Sequence, residues 1–197
     1  MRVLGISGSL RRDSHNTSLL RAAAGLLPAG AELEVFDGLA EIPPFSEDDE
    51  HAPPPSVVAL KDAIAAADAV LFATPEYNGS IPGQLKNALD WASRPRASTP
   101  LAGKPVAVVG ASMGIFGAVW AQAELRKVLS TIGARVLESD LPIGQAQDAL
   151  DADGLPREDD ARRALQQVPP ACCFGWQPGL PVPPAAFSFD PLPTLRT

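Results

Sequence analysis

A dense group of hydrogen-bond donors follows the first apolar run of the chain. The segment from Gly8 to Ser18 reads Gly-Ser-Leu-Arg-Arg-Asp-Ser-His-Asn-Thr-Ser and leads directly into a helical pattern. A strand end, a turn and a helix start place free backbone N–H groups, hydroxyls and an arginine around one point, which is how proteins hold phosphate. No Asp or Glu occurs from Ser14 through Ala31, although acidic residues commonly accompany a helix N-terminus. We therefore expect a bound anion to supply the negative charge.

A plain helix cap is the alternative interpretation of this segment. In that case Ser14 or Asn16 caps a surface helix and binds no ligand. Capping needs one such residue, whereas the segment offers several polar groups together with Arg11, so we favour the anion site.

A second unusual segment follows a later apolar run and extends from Pro75 to Gly83. It reads Pro-Glu-Tyr-Asn-Gly-Ser-Ile-Pro-Gly, which is richer in turn residues than a connector requires. Backbone groups exposed in a tight turn can bond the edge of a heteroaromatic ring, and the face of Tyr77 can pack near that ring. The segment predicts a site for a planar ligand. The alternative is an ordinary tight turn with a buried tyrosine.

Two familiar catalytic or binding motifs are incomplete. The segment Gly110–Gly114 matches the nucleophile elbow of serine hydrolases, with Ser112 at its centre. That fold requires a histidine downstream of the serine, whereas both histidines of the chain, His15 and His51, precede it. The glycines near residue 5 do not complete the G-x-G-x-x-G fingerprint of a Rossmann dinucleotide site. Both interpretations are therefore disfavoured.

Composition limits the remaining classes of function. A chain of 197 residues that is 46% hydrophobic is the size of one domain with a sizeable core. The net charge of −7 argues against a nucleic-acid partner or an anionic membrane surface, because both are bound through clustered Lys and Arg. No apolar run is long enough to span a bilayer and the N-terminus lacks a signal-peptide pattern, so the cytoplasm is expected.

Metal and thiol chemistry are also disfavoured by the sequence. The two cysteines, Cys172 and Cys173, are adjacent, which is neither a disulfide framework nor a metal-ligand spacing. With only two histidines and no cluster of His, Cys and carboxylates, we expect no metal site.

Apolar strand-like runs alternate with helical patterns along the chain. The predicted strands are residues 2–7, 32–36, 68–74, 105–109 and 134–138. Residues 37–55 predict an irregular surface loop or flap, after which Ser56 caps a helix through Ala67. A later helix closes at Gly133. This alternation predicts a mostly parallel α/β sheet covered on both faces, in which the loops after the first, third and fourth strands open onto one edge.

Three motifs in this order resemble the NADPH-dependent FMN reductase family, which includes bacterial quinone, chromate and azo-dye reductases. The motifs are Gly8-Ser-Leu-Arg11 with Ser14 and Asn16, Pro75-Glu-Tyr-Asn78 with Ile81-Pro-Gly83 and Leu85–Trp91, and Gly110-Ala-Ser112 with Leu125-Arg126. The resemblance covers about residues 2–168. It implies a flavodoxin-like three-layer sandwich whose five parallel strands have the order 2-1-3-4-5.

The resemblance also implies a cofactor and a reaction. FMN would be held non-covalently, with NAD(P)H as co-substrate and a quinone, chromate, azo compound or free flavin as the small-molecule acceptor. The residues implied around the phosphate are Ser9, Arg11, Ser14, His15, Asn16 and Thr17. Those implied along the ribityl chain and ring are Pro75, Glu76, Tyr77, Asn78 and Ser112. Because the cofactor carries the chemistry, we expect no catalytic side chain.

The resemblance also implies an oligomeric state, and two alternative functions stay open. Family resemblance implies a homodimer or homotetramer. A flavodoxin-type single-electron carrier without its own nicotinamide-dependent turnover is the main alternative, and a flavin-free interaction module is a third.

Two regions depart from the family pattern. Met113–Gly117 carries bulkier residues than expected, which could reshape the acceptor or nicotinamide pocket. We predict a domain over residues 1–168 and a proline-rich tail over 169–197, a surface wrap or disordered end that cannot continue a helix. Eight of the 21 prolines lie in that tail, at positions 169, 170, 178, 181, 183, 184, 191 and 193.

Overall fold

The computed structural model describes the backbone of residues 1–174 and the side chains of residues 1–168. Its strands are β1 (Arg2–Ser7), β2 (Glu32–Phe36), β3 (Ala69–Ala73), β4 (Pro105–Ala111), β5 (Arg135–Val136) and β6 (Pro142–Ile143). Its α-helices are α1 (His15–Ala24), α2 (Pro55–Ala66), α3 (Gly83–Ala92), α4 (Val119–Ile132), α5 (Ala146–Ala149) and α6 (Asp159–Phe174). Short 3-10 helices cover Gly38–Glu41, Glu47–Asp49 and Arg96–Ser98.

The sheet has the strand order β2-β1-β3-β4-β5 with every pair parallel, which confirms the predicted fold class. One difference concerns the fifth strand, which was expected over residues 134–138 and contains only Arg135–Val136. The start of β4 pairs with β5, whereas its far end pairs with β6, Gly110 lying opposite Pro142. The edge next to β4 is therefore shared by two short strands, and the second of them lies beside the loop after β4.

The central strands are buried because helices cover both faces of the sheet. On β3, Val70 and Phe72 belong to the core beneath α2, α3 and α4. The alternating residues Ala69, Leu71 and Ala73 belong to the core beneath α1 and α6. All five are at most 1% exposed, so the two cores fix the sheet and leave the loops at its edge to carry function.

The segment 37–55 is irregular apart from two short 3-10 helices and is bound to α3. Gln84 donates from Nε2 to the carbonyls of Leu39 and Ile42 at 2.7 and 2.8 Å, and the Trp91 indole donates to Pro43 O at 2.8 Å. These bonds satisfy carbonyls that an irregular segment leaves unpaired. The segment is therefore held against α3 by side-chain hydrogen bonds.

The prediction that Ser56 caps α2 is wrong. The N-cap residue is Pro54 and Pro55 is the first helical residue, where a fixed φ suits the helix and the missing N–H costs nothing. The Ser56 hydroxyl donates instead to Glu41 O at 3.0 Å. By contrast, the predicted end of α4 is confirmed, since Gly133 has φ 106° and its N–H bonds the last carbonyls of the helix.

The expectation that the chain cannot continue a helix beyond Val168 is wrong as far as Phe174. Helix α6 includes Pro169 and Pro170, because the fixed φ of proline near −65° is compatible with helical backbone although it removes a donor. The rest of the predicted tail, residues 175–197, lies outside the described residues, and the division at residue 168 stays a prediction. Among the described helices, none has the length and apolar character needed to cross a bilayer.

Candidate functional site

The three unusual loops meet at the carboxyl edge of the sheet, as the sequence predicted. The Gly8 N–H donates to Ala73 O at 2.8 Å and joins the ends of β1 and β3. The Asn16 side chain joins the start of α1 to the end of β4, because its Nδ2 donates to Ala111 O at 2.8 Å and its Oδ1 accepts from Ala111 N at 2.9 Å. Asn16 is 3% exposed, so these two bonds form a buried clasp between loops 95 residues apart.

The loop after β1 is a compact cradle of donors. Ser14 is the N-cap of α1, and its hydroxyl accepts from Thr17 N at 3.4 Å. The Thr17 hydroxyl donates to Ser7 Oγ at 2.8 Å, and Ser9 Oγ accepts from Arg11 N at 3.3 Å. The predicted cap is thus present, but it uses only one of the free N–H groups that begin a helix.

Free donors remain at the start of α1. Among the backbone groups of residues 1–174 and the side chains of residues 1–168, no acceptor pairs with the backbone N–H of His15 or Asn16. The first turn of α1 contains no acidic residue, so the positive end of the helix dipole is not offset locally. The cradle can therefore accept an anion, in agreement with the prediction from the sequence.

Two charged or titratable groups border this cradle. The Arg11 side chain is exposed and donates to the carbonyl of Asp13. Burial lowers the pKa of the half-buried His15 imidazole from its ordinary 6.5, and the positive charge of Arg11 lowers it further. The cradle thus combines a permanent cation with an imidazole whose surroundings favour the neutral form.

The loop after β3 forms a tight hairpin turn. Tyr77 and Ser80 exchange backbone hydrogen bonds of 3.0 and 3.1 Å across Asn78 and Gly79, whose φ values are 55° and 75°. Asn-Gly is the pair that tolerates positive φ at both central positions of such a turn. Tyr77 is 52% exposed, so the alternative of a buried tyrosine is wrong. Pro75 is buried at the base of the turn, where β3 ends.

Glu76 has a structural contact that sequence reasoning missed. Its Oε2 accepts from the backbone N–H groups of Trp120 and Ala121, both at 3.0 Å, at the start of α4. The N-cap residue of that helix, Ala118, provides no side-chain cap, and the carboxylate from the neighbouring loop takes its place. The sequence has no capping side chain immediately before α4, and this absence could have indicated that a residue from another loop takes that place.

The loop after β4 rests on the segment that includes β6. Ser112 donates from its backbone N–H to Ile143 O at 3.0 Å and from its hydroxyl to Gly114 O at 3.2 Å. Gln145 N donates to Gly114 O at 3.0 Å. The bulky side chains predicted in this loop are exposed, Met113 at 55% and Ile115 at 69%. The loop therefore presents an apolar surface at the site edge while its backbone is fixed.

Gln122 supports this loop from beneath and was also missed. It is fully buried on α4, and its Nε2 donates to Gly117 O at 2.9 Å. Gly110 makes room for it, since a Cβ there would lie 2.8 Å from the same nitrogen. A polar residue on the apolar stripe of α4 was the signal in the sequence.

The donors fit a phosphorylated planar ligand. Free N–H groups, hydroxyls and a cation suit a phosphate, while an exposed tyrosine on a tight turn suits a ring at the same edge. The described residues contain no group of three His, Cys, Asp or Glu side chains placed to hold a metal ion. Together with the strand order, these features define a flavodoxin-like protein with a nucleotide site at the carboxyl edge.

Comparison with known proteins identifies the family. The family model described as NADPH-dependent FMN reductase matches residues 1–148. An NAD(P)H-dependent FMN reductase of Pseudomonas aeruginosa is 47% identical over 169 residues, which are 85% of this chain and 90% of that protein. A 2-hydroxy-1,4-benzoquinone reductase of a Burkholderia species is 39% identical over 84% of this chain and 91% of that one. The chain belongs to the NADPH-dependent FMN reductase family.

A solved structure agrees with this assignment. The flavoenzyme NAD(P)H:(acceptor) oxidoreductase FerB of Paracoccus denitrificans superimposes with a TM-score of 0.74 at 38% identity, covering 84% of this chain and 91% of that one. The predictions of an FMN-dependent oxidoreductase that takes electrons from NAD(P)H are confirmed, and this function is favoured over the single-electron carrier. The Burkholderia relative is named for a small-molecule acceptor, 2-hydroxy-1,4-benzoquinone.

Proposed function

We propose that this chain transfers hydride from NAD(P)H through non-covalently held FMN to a small quinone-like acceptor at the carboxyl edge of the sheet. The observation that carries the proposal is the donor cradle at the start of α1, open and without an acidic residue, on the same edge as the Tyr77 turn. The name of the Burkholderia relative, a hydroxybenzoquinone reductase, supports the quinone class of acceptor.

The chain's own residues bind and orient in this proposal. The phosphate is held by Ser9, Arg11, Ser14, His15, Asn16 and Thr17, and the ribityl chain and ring are lined by Pro75, Glu76, Tyr77, Asn78 and Ser112. Asn16 acts through its backbone N–H, because its side chain is bonded to Ala111. Bound FMN supplies the hydride chemistry, so no side chain needs to act as nucleophile or acid–base catalyst.

Exposed apolar residues form a rim beside the turn. Tyr77, Met113, Ile115, Phe116 and Trp120 are each about half exposed or more, and the Phe116 and Trp120 rings are 5.0 Å apart in an edge-on contact. A concentration of apolar surface in one place suits both a flat acceptor and a second copy of the chain. A homodimer or homotetramer in the cytoplasm, where NAD(P)H is available, is part of the proposal.

The function is tested by loading the protein with FMN and adding NADH or NADPH without oxygen. We expect the visible absorbance of the bound flavin to decrease when the nucleotide is added and to return when 1,4-benzoquinone is added, over repeated cycles. A protein that binds FMN but is not reduced by either nucleotide would behave as a carrier and contradict the proposal. Riboflavin, which lacks the phosphate, is the matched ligand control for the cradle.

Protonation of His15 provides a prediction about FMN binding. In the free protein its pKa is lowered by burial and by Arg11, so a phosphate placed beside Arg11 opposes that effect and raises the pKa. FMN binding should therefore take up protons below about pH 6.5, and FMN affinity should gain a component that increases as the pH falls. Calorimetric titration at pH 6 in buffers of different ionisation enthalpy measures the uptake.

The FMN phosphate can also exchange a proton on binding, because its second pKa is about 6. The variant His15→Gln distinguishes protons taken up by His15 from protons exchanged by the phosphate. We expect the variant to take up fewer protons than the parent protein, and riboflavin to cause no uptake in either. Equal uptake by parent and variant would show that His15 does not titrate on binding. In the ligand-free protein, protonation of His15 has the opposite effect and opposes folding. Because the pKa of His15 is lower in the folded protein than its ordinary 6.5, the free energy of unfolding decreases as the pH falls through 6.5.

A further inference from the structure

A basic groove lies between α3 and α4, away from the flavin edge. We name it the α3–α4 groove. Its volume is about 280 Å³, and it is lined by Lys86, Asp90, Ser93, Arg94, Arg96, Lys127, Val128, Thr131 and Ile132. Most of these residues belong to the later turns of the two helices and to the segment after α3. Both helices begin at the flavin edge, and at 1.5 Å per residue the ten residues of α3 span about 15 Å.

The charge of this groove contrasts with that of the chain. Four cationic side chains and one carboxylate line it, whereas the chain has a net charge of −7. Lys86 pairs with Asp90 at 2.6 Å, and Arg94 pairs with Glu47, which lies outside the lining, at 3.3 Å. Among the described residues, no carboxylate lies within ion-pair distance of Arg96 or Lys127. The groove therefore keeps an excess of positive charge.

The helix dipoles do not account for the two lysines of the groove. Basic residues are favoured in the last turn of a helix, where the carbonyl end is negative. The last turns of α3 and α4 contain none: Lys86 and Lys127 lie earlier in the helices, and Arg94 and Arg96 follow α3. Lys86 and Lys127 are thus placed at the cavity and not in a last helical turn, whereas Arg94 and Arg96 lie just beyond the carboxyl end of α3.

The neutral residues of the groove favour an organic anion. Val128 and Ile132 are half-buried and give the groove an apolar side. The hydroxyls of Thr131 and Ser93 donate to Lys127 O and Asp90 O at 2.8 and 2.7 Å, so they are engaged within their own helices. Guanidinium and ammonium groups remain as the donors for a ligand, and they bind phosphate through charge-assisted hydrogen bonds.

We propose that the α3–α4 groove binds a phosphomonoester carried on a small organic molecule. The site is distinct from the flavin edge; phosphate binding there is independent of the proposed function, and only the assignment of NADPH as its source rests on that function. The same chemistry occurs in the 2′-phosphate of NADPH and in a separate phosphorylated metabolite. Because the two sources differ in their effect on turnover, one set of variants distinguishes them.

The test is a calorimetric titration of the FMN-loaded protein at low salt with adenosine 2′,5′-bisphosphate. FMN occupies its own phosphate site, and the heat that the groove variants lose is the part that reports the groove. We expect Arg96→Gln and Lys127→Gln each to weaken binding about tenfold, the usual effect of one charge-assisted bond. Arg21→Gln, an exposed cation in the last turn of α1, is the matched control and should leave binding unchanged.

Steady-state kinetics on the same variants identifies the source. If the ligand is the NADPH phosphate, KM for NADPH increases while KM for NADH is unchanged; if it is a separate metabolite, both KM values are unchanged although titration shows the loss. Either result supports the site. No binding to the parent protein, or equal binding by the Arg96→Gln/Lys127→Gln double variant, would overturn it. A variant that changes the assembly state without affecting titration would identify the groove as an interface and also overturn it.

Discussion

We expect Asn16→Ala to lower the free energy of unfolding by about 2–4 kcal/mol and to weaken FMN binding about tenfold. The side chain is 3% exposed and makes two bonds with the backbone of Ala111. Alanine would leave a buried N–H and a buried C=O unpaired, and each carries a desolvation cost. The clasp also holds the start of α1 against β4, so its loss would loosen the phosphate cradle. Urea unfolding and FMN titration measure the two effects.

Asn87→Ala is the matched control for this prediction. Asn87 also bonds the backbone, accepting from Phe45 N and donating to Pro43 O, both at 2.8 Å, with a longer bond of 3.5 Å to Ile42 O, but it joins α3 to the segment 37–55. We expect this variant to lose stability and keep its FMN affinity. If both variants weaken FMN binding equally, the effect would come from general destabilisation and the clasp would have no specific role.

Local patterns predicted the features that depend on neighbouring residues. The pair Asn78-Gly79 predicts a turn because both residues tolerate the positive φ that they adopt in the structure. Ser14 caps α1 because a serine before an apolar stripe can bond the first turn of a helix. Gly133 ends α4 for the same kind of local reason. Ser56 was misassigned because three prolines precede it, and proline at the first helical position starts a helix without a side-chain cap.

Long-range partners were not predictable in the same way. Asn16 was read as a phosphate ligand, since nothing in its neighbourhood indicates a backbone partner 95 residues away. Glu76 was placed near the ring, whereas the structure places its carboxylate at the start of α4, 44 residues on. Periodicity indicates which face of an element is buried but not which polar groups face each other across loops. Asn16 and Glu76 therefore lie at the edge where the sequence places the site, but their side chains make long-range contacts that only the folded structure shows.

The close approach of Gly144 to the loop after β4 leads to the second large effect. A Cβ on Gly144 would lie 2.2 Å from Ile115 O and 2.8 Å from Ile115 C, both of them backbone atoms that cannot rotate aside. We expect Gly144→Ala to displace the loop and to cost about 1–3 kcal/mol of stability. Because Ser112 N bonds Ile143 O and Gln145 N bonds Gly114 O, the displacement reaches the predicted ring contact at Ser112.

Activity should respond to Gly144→Ala more strongly than FMN affinity. The phosphate cradle lies in another loop, so FMN titration should change little, whereas a shift of about 1 Å at the ring can reduce kcat/KM for benzoquinone about 100-fold. Gly25→Ala is the control, because that glycine has φ −71° and its nearest contact would be an ordinary 3.5 Å to Ala22 O. Equal activity of the Gly144→Ala variant and the parent would show that the loop after β4 does not position the ring, and Ser112 would then be removed from the site.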